Sequence, residues 1–170
     1  MRVAKSELSL VSYELLLTSY QAVMKKFTLA AELNQVLGVN PRLFGVFNDS
    51  HLLGVVKVKD AQGFWETHHQ GEELLVILSG RARFTALIDG QKQVVEIGAG
   101  DILWIPKDAE HSAEIIEELH ILFVSPKDGN SARVEDGVKS QTERLAAHQQ
   151  HLEQPQLTST SSFQLNGLQY

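Results

Sequence analysis

The feature that most constrains this chain is a change of hydrophobic period at Pro41. Beyond it, residues 43–47, 52–58, 64–68, 73–78, 81–88, 91–97, 101–105, 111–116 and 119–124 form short apolar or alternating runs. Turn-forming groups separate them, among them Asn48-Asp49-Ser50, residues 60–63, Gly71, Ser79-Gly80, Asp89-Gly90, Gly98-Ala99-Gly100 and Lys107-Asp108. Breaks this frequent leave no room for a helix of ordinary length. Many short strands at close spacing predict an antiparallel barrel or a double-sheet jelly roll. Asp89-Gly90 is a strong hairpin signal, since a two-residue turn of that type needs positive φ at both positions. No internal repeat is apparent, so one barrel is expected over 40–126, and the fold class is all-β.

The flanks read differently. Tyr13, Leu16, Leu17, Tyr20, Val23, Met24 and Phe27 recur at helical spacing. A second helix is expected over 29–37, with Thr28 as N-cap and Gly38 as a left-handed stop; two helices or one bent helix fit equally well. Residues 1–39 are therefore a helical extension that packs on the outside of the barrel or contacts a second copy. Residues 127–170 form a C-terminal extension. Within it, 126–137 is polar and turn-rich and is expected to leave the barrel. A polar helix over 140–153 carries His148 and His151, and a flexible tail over 155–170 contains Ser159, Thr160, Ser161 and Ser162.

The formal charge of −6 and a pI of about 5.6 give no electrostatic case for nucleic acid or an anionic membrane. No apolar run is long enough to span a bilayer, and no basic-then-apolar leader is apparent, so a cytoplasmic protein is expected. There is no cysteine. Any metal must therefore be held by nitrogen and oxygen.

Such ligands cluster in Glu66-Thr67-His68-His69-Gln70-Gly71-Glu72-Glu73, with His111 far downstream. Alternate residues of a strand share a face. Phe64, Glu66 and His68 thus project together, and Glu73, Leu75 and Ile77 do so in the next strand. A buried Glu73 is costly without a cation. Two imidazoles and a carboxylate with open positions suit Fe(II), and also Mn(II), Co(II), Ni(II) or Zn(II). Glu66 as a further ligand makes the site harder. The bland alternative is a hydrogen-bonded polar cluster in an empty barrel. A shifted register using Thr67 and His69 ranks lower, because it supplies a weaker ligand. Phe64, Phe84, Trp104 and Phe123 are expected in the core, with a ligand pocket as the sharper reading. Arg81 and Arg83 are expected at the surface, His69 at the rim, Glu72 in an exposed turn and His120 in the core or an interface. No nucleophile–base pair and no glycine-rich phosphate loop is recognisable.

The run from Gly63 through Glu66, His68 and Glu73 to Gly80 resembles the first cupin motif, a His-x-His pair followed by a Glu and then a Gly. The run Gly100-Asp101-Ile102-Leu103-Trp104-Ile105-Pro106-Lys107-Asp108-Ala109-Glu110-His111 resembles the second, in which a Gly-Asp turn leads to a Pro and then to the His ligand. The resemblance covers residues 40–126. It is nearest to small single-domain cupins with a mannose-6-phosphate isomerase-like or RmlC-like jelly-roll barrel, a double-stranded β-helix. It implies His68, Glu73 and His111 as metal ligands. The chain departs from the pattern at Glu66, where the first His is usual, at Asp108, where Gly is usual, and at Ile115, where Asn is often found.

The resulting expectation is a homodimeric cupin that binds one divalent metal ion and a small oxygen-bearing molecule such as a sugar, a keto acid or an enediol. Glu66 then serves as ligand or as catalytic general base, and the protein is a metal-dependent dioxygenase or isomerase. A non-catalytic binding module and a degenerate metal-free barrel used for protein contacts are the alternatives. Fold resemblance alone licenses none of these chemistries.

Overall fold

A computed structural model of the chain describes residues 24–146. A short helix, α1 (Leu29–Leu33), precedes eight strands: β1 (Arg42–Phe47), β2 (His51–Val58), β3 (Phe64–His68), β4 (Glu73–Ile88), β5 (Gln91–Gly98), β6 (Ile102–Ile105), β7 (Glu110–Pro126) and β8 (Asn130–Val134). Every pairing is antiparallel. β7 is the hub. One edge pairs with β2, from Leu119 opposite Val58 to Pro126 opposite His51. The other pairs with β4 from Leu74 to Leu87. Its first turn of chain also lies beside β3, with His111 opposite Glu66. β4 in turn carries β6 and β5. The sheet curls on itself, as the all-β jelly-roll reading expects.

The hairpins follow from local chemistry. Asn48 and Asp49 have φ of 52° and 59°, and Asp89 and Gly90 have 50° and 73°. Asn and Asp are the non-glycine residues that best tolerate this region. Ser79-Gly80, expected as a turn between two strands, is instead an irregularity inside the continuous β4. The pairing with β7 shifts register between Ile77 and Ala82, and 111–116 and 119–124 likewise belong to one strand. Breaks in period on two facing strands are the signature of a bulge rather than of two hairpins. Gly80 has φ of 89°, and a Cβ there would sit 2.1 Å from the Glu118 carbonyl oxygen.

Inward side chains make the main core: Val58, Leu75, Ile77, Ala82, Phe84, Ile97, Ile105, Leu119, Ile121 and Phe123, with smaller residues between them. A second cluster, Val36, Phe44 and Val55, lies on the outer side of β2 and is covered by Phe27, Leu29 and Leu33. The described part of the N-terminal extension, from Phe27 to Val36, therefore packs across the outside of the barrel. Its helix is shorter than 29–37. After Leu33 the bonds tighten to Gln35 N–H on Glu32 O and Val36 N–H on Leu33 O, and Gly38 stands at φ of 60°. Thr28 makes no side-chain cap bond. Residues 24–27, expected to end a helix, are not helical; Phe27 instead stacks on Phe44 with ring centroids 4.5 Å apart. The rest of that expected helix lies outside the described residues.

Two further expectations are corrected. Residues 126–137 do not simply leave the barrel: β8 pairs with β3 along its length, Phe64 opposite Val134 to His68 opposite Asn130. Trp104 is not core but 63% exposed. β6 is bonded only to β4, and its alternation sends Ile102 and Trp104 outward while Leu103 and Ile105 turn in. Beyond the sheet, residues 142–146 are helical; His148, His151 and the expected tail lie outside the described residues. No helix among the described residues is long and apolar enough to cross a membrane.

Gly80 supplies a test of the bulge. Gly80→Ala adds a left-handed backbone penalty of about 1–2 kcal/mol and a collision with backbone that cannot rotate away. A combined loss of about 3 kcal/mol or more is expected, read as a lower urea midpoint at unchanged slope. An unchanged midpoint would show that the bulge is not as tight as drawn.

Candidate metal centre

Three residues far apart in sequence meet because β3, β4 and β7 meet. His68 ends β3, Glu73 begins β4 and His111 lies at the start of β7. All three are buried. Each offers one ligand atom, and these atoms lie within 4.8 Å of one another. His68 Nε2 is 3.3 Å and His111 Nε2 is 3.4 Å from the same oxygen, Glu73 Oε2. An ion about 2.0–2.2 Å from each ligand would give separations of this order.

The neighbours fix which atoms face inward. His111 Nδ1–H donates to Ala109 O at 3.0 Å. His68 Nδ1–H donates to Asn130 Oδ1 at 2.9 Å, and the Asn130 amide is itself held by its donation to Pro126 O at 2.7 Å. Ser125 Oγ–H donates to Glu73 Oε1 at 2.6 Å. Each imidazole thus commits its Nδ1 to an oxygen and turns Nε2 toward Glu73, whose Oε2 is left facing them. Such outer hydrogen bonds set tautomer and orientation in metal sites. His68 Nε2 is buried and makes no aligned hydrogen bond.

Charge sharpens the point. Burial alone would lower the pKa of His68, but the Glu73 carboxylate beside it outweighs burial and holds it up at about 9. His111 is raised against its burial by the same carboxylate. Burial would raise Glu73, yet the two imidazoles hold it well below the usual carboxylate range. With no cation, two neutral imidazoles would aim lone pairs at an anion. Two protons relieve this, and so does one divalent ion. The donor set therefore fits a metal.

Glu66 faces the same cavity as the three and bears on both imidazoles through its charge. It is not one of the clustered trio. His69 is on the other side of the strand, half-exposed, with Nδ1–H donating to Asp108 Oδ1 at 2.7 Å and Nε2 3.1 Å from Ser131 Oγ. The register that aligns Glu66 with His68 is thus the one adopted. Asp108 takes up φ of 63°, the conformation for which glycine is usual, and its N–H donates to His68 O at 2.9 Å. Phe64, Phe84 and Phe123 are both core and cavity wall. Arg81 and Arg83 are exposed and paired with Glu117, Glu114 and Glu96. Glu72 is exposed. His120 is not core; its side chain is partly exposed beside Glu118.

Two contributors went unseen in the sequence. Ser125 continues the inward series Leu119, Ile121, Phe123, and a lone hydroxyl at an inward position of an apolar strand is the signal that would have found it. Asn130 had none, because β8 was unexpected.

The cluster opens on a cavity of about 400 Å³. Its walls are mainly apolar, including Leu43, Leu52, Val56, Leu75, Ile115 and Ile121. Apolar walls with a few convergent polar groups are the usual form of a small-molecule site.

Residues 54–125 match the family model described as Cupin domain. Among solved structures, a cupin-2 domain containing protein from Shewanella frigidimarina is 28% identical, over 57% of this chain and 87% of that one, with a TM-score of 0.43. A mutant of Bacillus subtilis oxalate decarboxylase is 25% identical, over 50% of this chain, with a TM-score of 0.42; the chain spans only 24% of that protein. No curated protein matches the sequence.

Two measurements test the centre. At pH 6 both imidazoles carry protons in the metal-free protein, so binding one divalent ion should release about two protons, read by calorimetry in buffers of different ionisation enthalpy. Affinity then rises with pH as the imidazoles give up their protons, His68 at about 9. Release of no protons would contradict the paired arrangement. Ser125→Ala should weaken metal binding about 10–100-fold by freeing the Glu73 carboxylate to turn; unchanged affinity would remove Ser125 from the centre.

Proposed function

We propose that this member of the cupin superfamily binds one divalent metal ion through His68, Glu73 and His111, and presents it to a small oxygen-bearing molecule in the barrel. The observation that carries the reading is the convergence of two Nε2 atoms on one buried carboxylate oxygen, each imidazole held by a bond to its other nitrogen. Without an ion the three groups balance only by protonating both imidazoles, whereas one divalent ion balances them with the imidazoles neutral. Three protein ligands leave coordination positions open, which suits exchange with substrate rather than a purely structural role.

The best-supported activity is metal-dependent catalysis of the dioxygenase or isomerase type. A divalent ion held by His68, Glu73 and His111 would supply Lewis-acid or oxygen-activating chemistry. The chain's own residues do the rest. The apolar wall of Phe84, Ile115, Leu119 and Phe123 makes the cavity less polarisable than water, and that strengthens the charge interactions within it. Ser125 keeps the Glu73 carboxylate from rotating. Glu66 projects from β3 one inward position before His68, roughly 7 Å along the strand. We assign its carboxylate the role of accepting a proton from a molecule bound in the cavity beside the cluster. As general base it would contribute about 10²–10⁴-fold in rate.

The test is metal content by mass spectrometry on tag-free protein, with Glu73→Gln, His111→Ala and Glu66→Gln beside the wild type, followed by oxygen uptake and isomerisation assays on small acids and sugars. Stoichiometric metal is expected in wild type and Glu66→Gln, with loss in the other two. Equal, sub-stoichiometric metal in all four proteins would end the reading. Glu66→Gln that keeps its metal and its full turnover would remove the general base.

A further inference from the structure

The cavity has a second polar end. Phe64, Glu66 and His68 step along it on one face of β3, so its length from the Phe64 to the His68 backbone is roughly 13 Å. At the Phe64 end stands Arg144, from the helical segment that follows the sheet. Its guanidinium carbon lies 5.3 Å from the Phe64 ring centroid, and Nη1–H donates to Asp60 O at 3.1 Å. Stacking and this one bond fix the plane of the guanidinium and leave most of its donors uncommitted.

Among the described residues, every other arginine has a carboxylate partner: Arg42 with Glu32, Arg81 with Glu117, Arg83 with Glu96 and Glu114, and Arg133 with Glu110. Arg144 has none within ion-pair distance, although it is partly removed from water; the Glu66 and Asp60 carboxylates act on it only from further off. The other cation of the lining, Lys127, sits 3.6 Å from Asp128 and is neutralised there. A partly desolvated guanidinium without a carboxylate is costly unless an anion joins it.

We infer that Arg144 is the anion-recognising residue of this cavity, and that its ligand is a monocarboxylate whose apolar body spans the barrel and whose far end carries the oxygen function offered to the metal. The inference rests on the metal reading for that far end only. A planar carboxylate matches the guanidinium fork in two parallel bonds, and it brings one charge into a mainly apolar cavity where a phosphate dianion brings two.

The experiment titrates hexanoate, its neutral counterpart hexanamide, and hexyl phosphate into zinc-loaded wild type, Arg144→Lys and Arg144→Gln, with zinc stoichiometry measured on each sample. Hexanoate is expected to bind wild type at least about tenfold more tightly than hexanamide, the worth of one charge-assisted pair. Arg144→Gln should erase that preference with zinc content unchanged, and Arg144→Lys should retain part of it. Equal binding of hexanoate and hexanamide by wild type, tighter binding of hexyl phosphate than of hexanoate, or a preference that survives in Arg144→Gln would each overturn the proposal. In the last case the carboxylate is read by the zinc. If wild type takes up no zinc, the metal reading fails by itself, and the same titrations on the metal-free protein still decide for or against Arg144. If Arg144→Gln does not fold, the wild-type preference and its reduction in Arg144→Lys carry the decision.

Discussion

A single carboxylate oxygen governs this structure. Glu73 is buried, and both faces of its Oε2 are taken by imidazole nitrogens 3.3 and 3.4 Å away. A charge removed from water in this way is tolerated only with opposite charge in contact. The rest of the barrel wall supplies geometry rather than charge: Ser125, Asn130 and the Ala109 carbonyl each take one hydrogen-bonding direction away, so the remaining directions converge. The centre is therefore defined as much by what its outer partners forbid as by its ligands.

Convergence depends on β7. Among the described residues it is the only strand that touches β2, β3 and β4 together, and it delivers His111 at its start and Ser125 near its end. The bulge opposite Gly80 lets β4 and β7 stay paired over their length while each reorients midway. Regular pairing over such lengths would accumulate twist in one sense; the irregularity lets the inner face close around a cavity. β8 then seals the open edge of β3 and brings Asn130 to His68.

Much of this was legible in the sequence. Period-two alternation placed Glu66 with His68 and separated both from His69, because a strand offers only two faces. Glycine and Asn/Asp-rich breaks located the hairpins. The misreadings have a common cause. Local pattern reports that a strand is interrupted, but not whether the interruption is a turn or a bulge, since that depends on the partner. Hence Ser79-Gly80 carries a turn signal although it lies within β4. Likewise Asn130–Val134 is too polar to announce itself as a strand, its inward contact being a hydrogen bond rather than an apolar side chain. Trp104 failed for the complementary reason: an aromatic residue on an edge strand faces outward when its neighbours in register fill the core.

The departures from the cupin pattern gain a physical sense from the same geometry. Asp108 occupies a left-handed position where glycine costs less, by about 1 kcal/mol. Its backbone N–H nonetheless holds the His68 carbonyl, and its carboxylate holds the outward His69. The strained residue thus ties the segment before His111 to the end of β3, and so fixes the distance between the two imidazoles. A glycine would supply the N–H contact but not the carboxylate, and the segment would be freer to move. Glu66 is the counterpart on the cavity side. An imidazole there would add a neutral ligand, whereas a carboxylate lowers the net charge of an occupied cavity by one. Substitutions at these two positions therefore act on different quantities, the first on the spacing of the ligands and the second on the charge a bound molecule must bring.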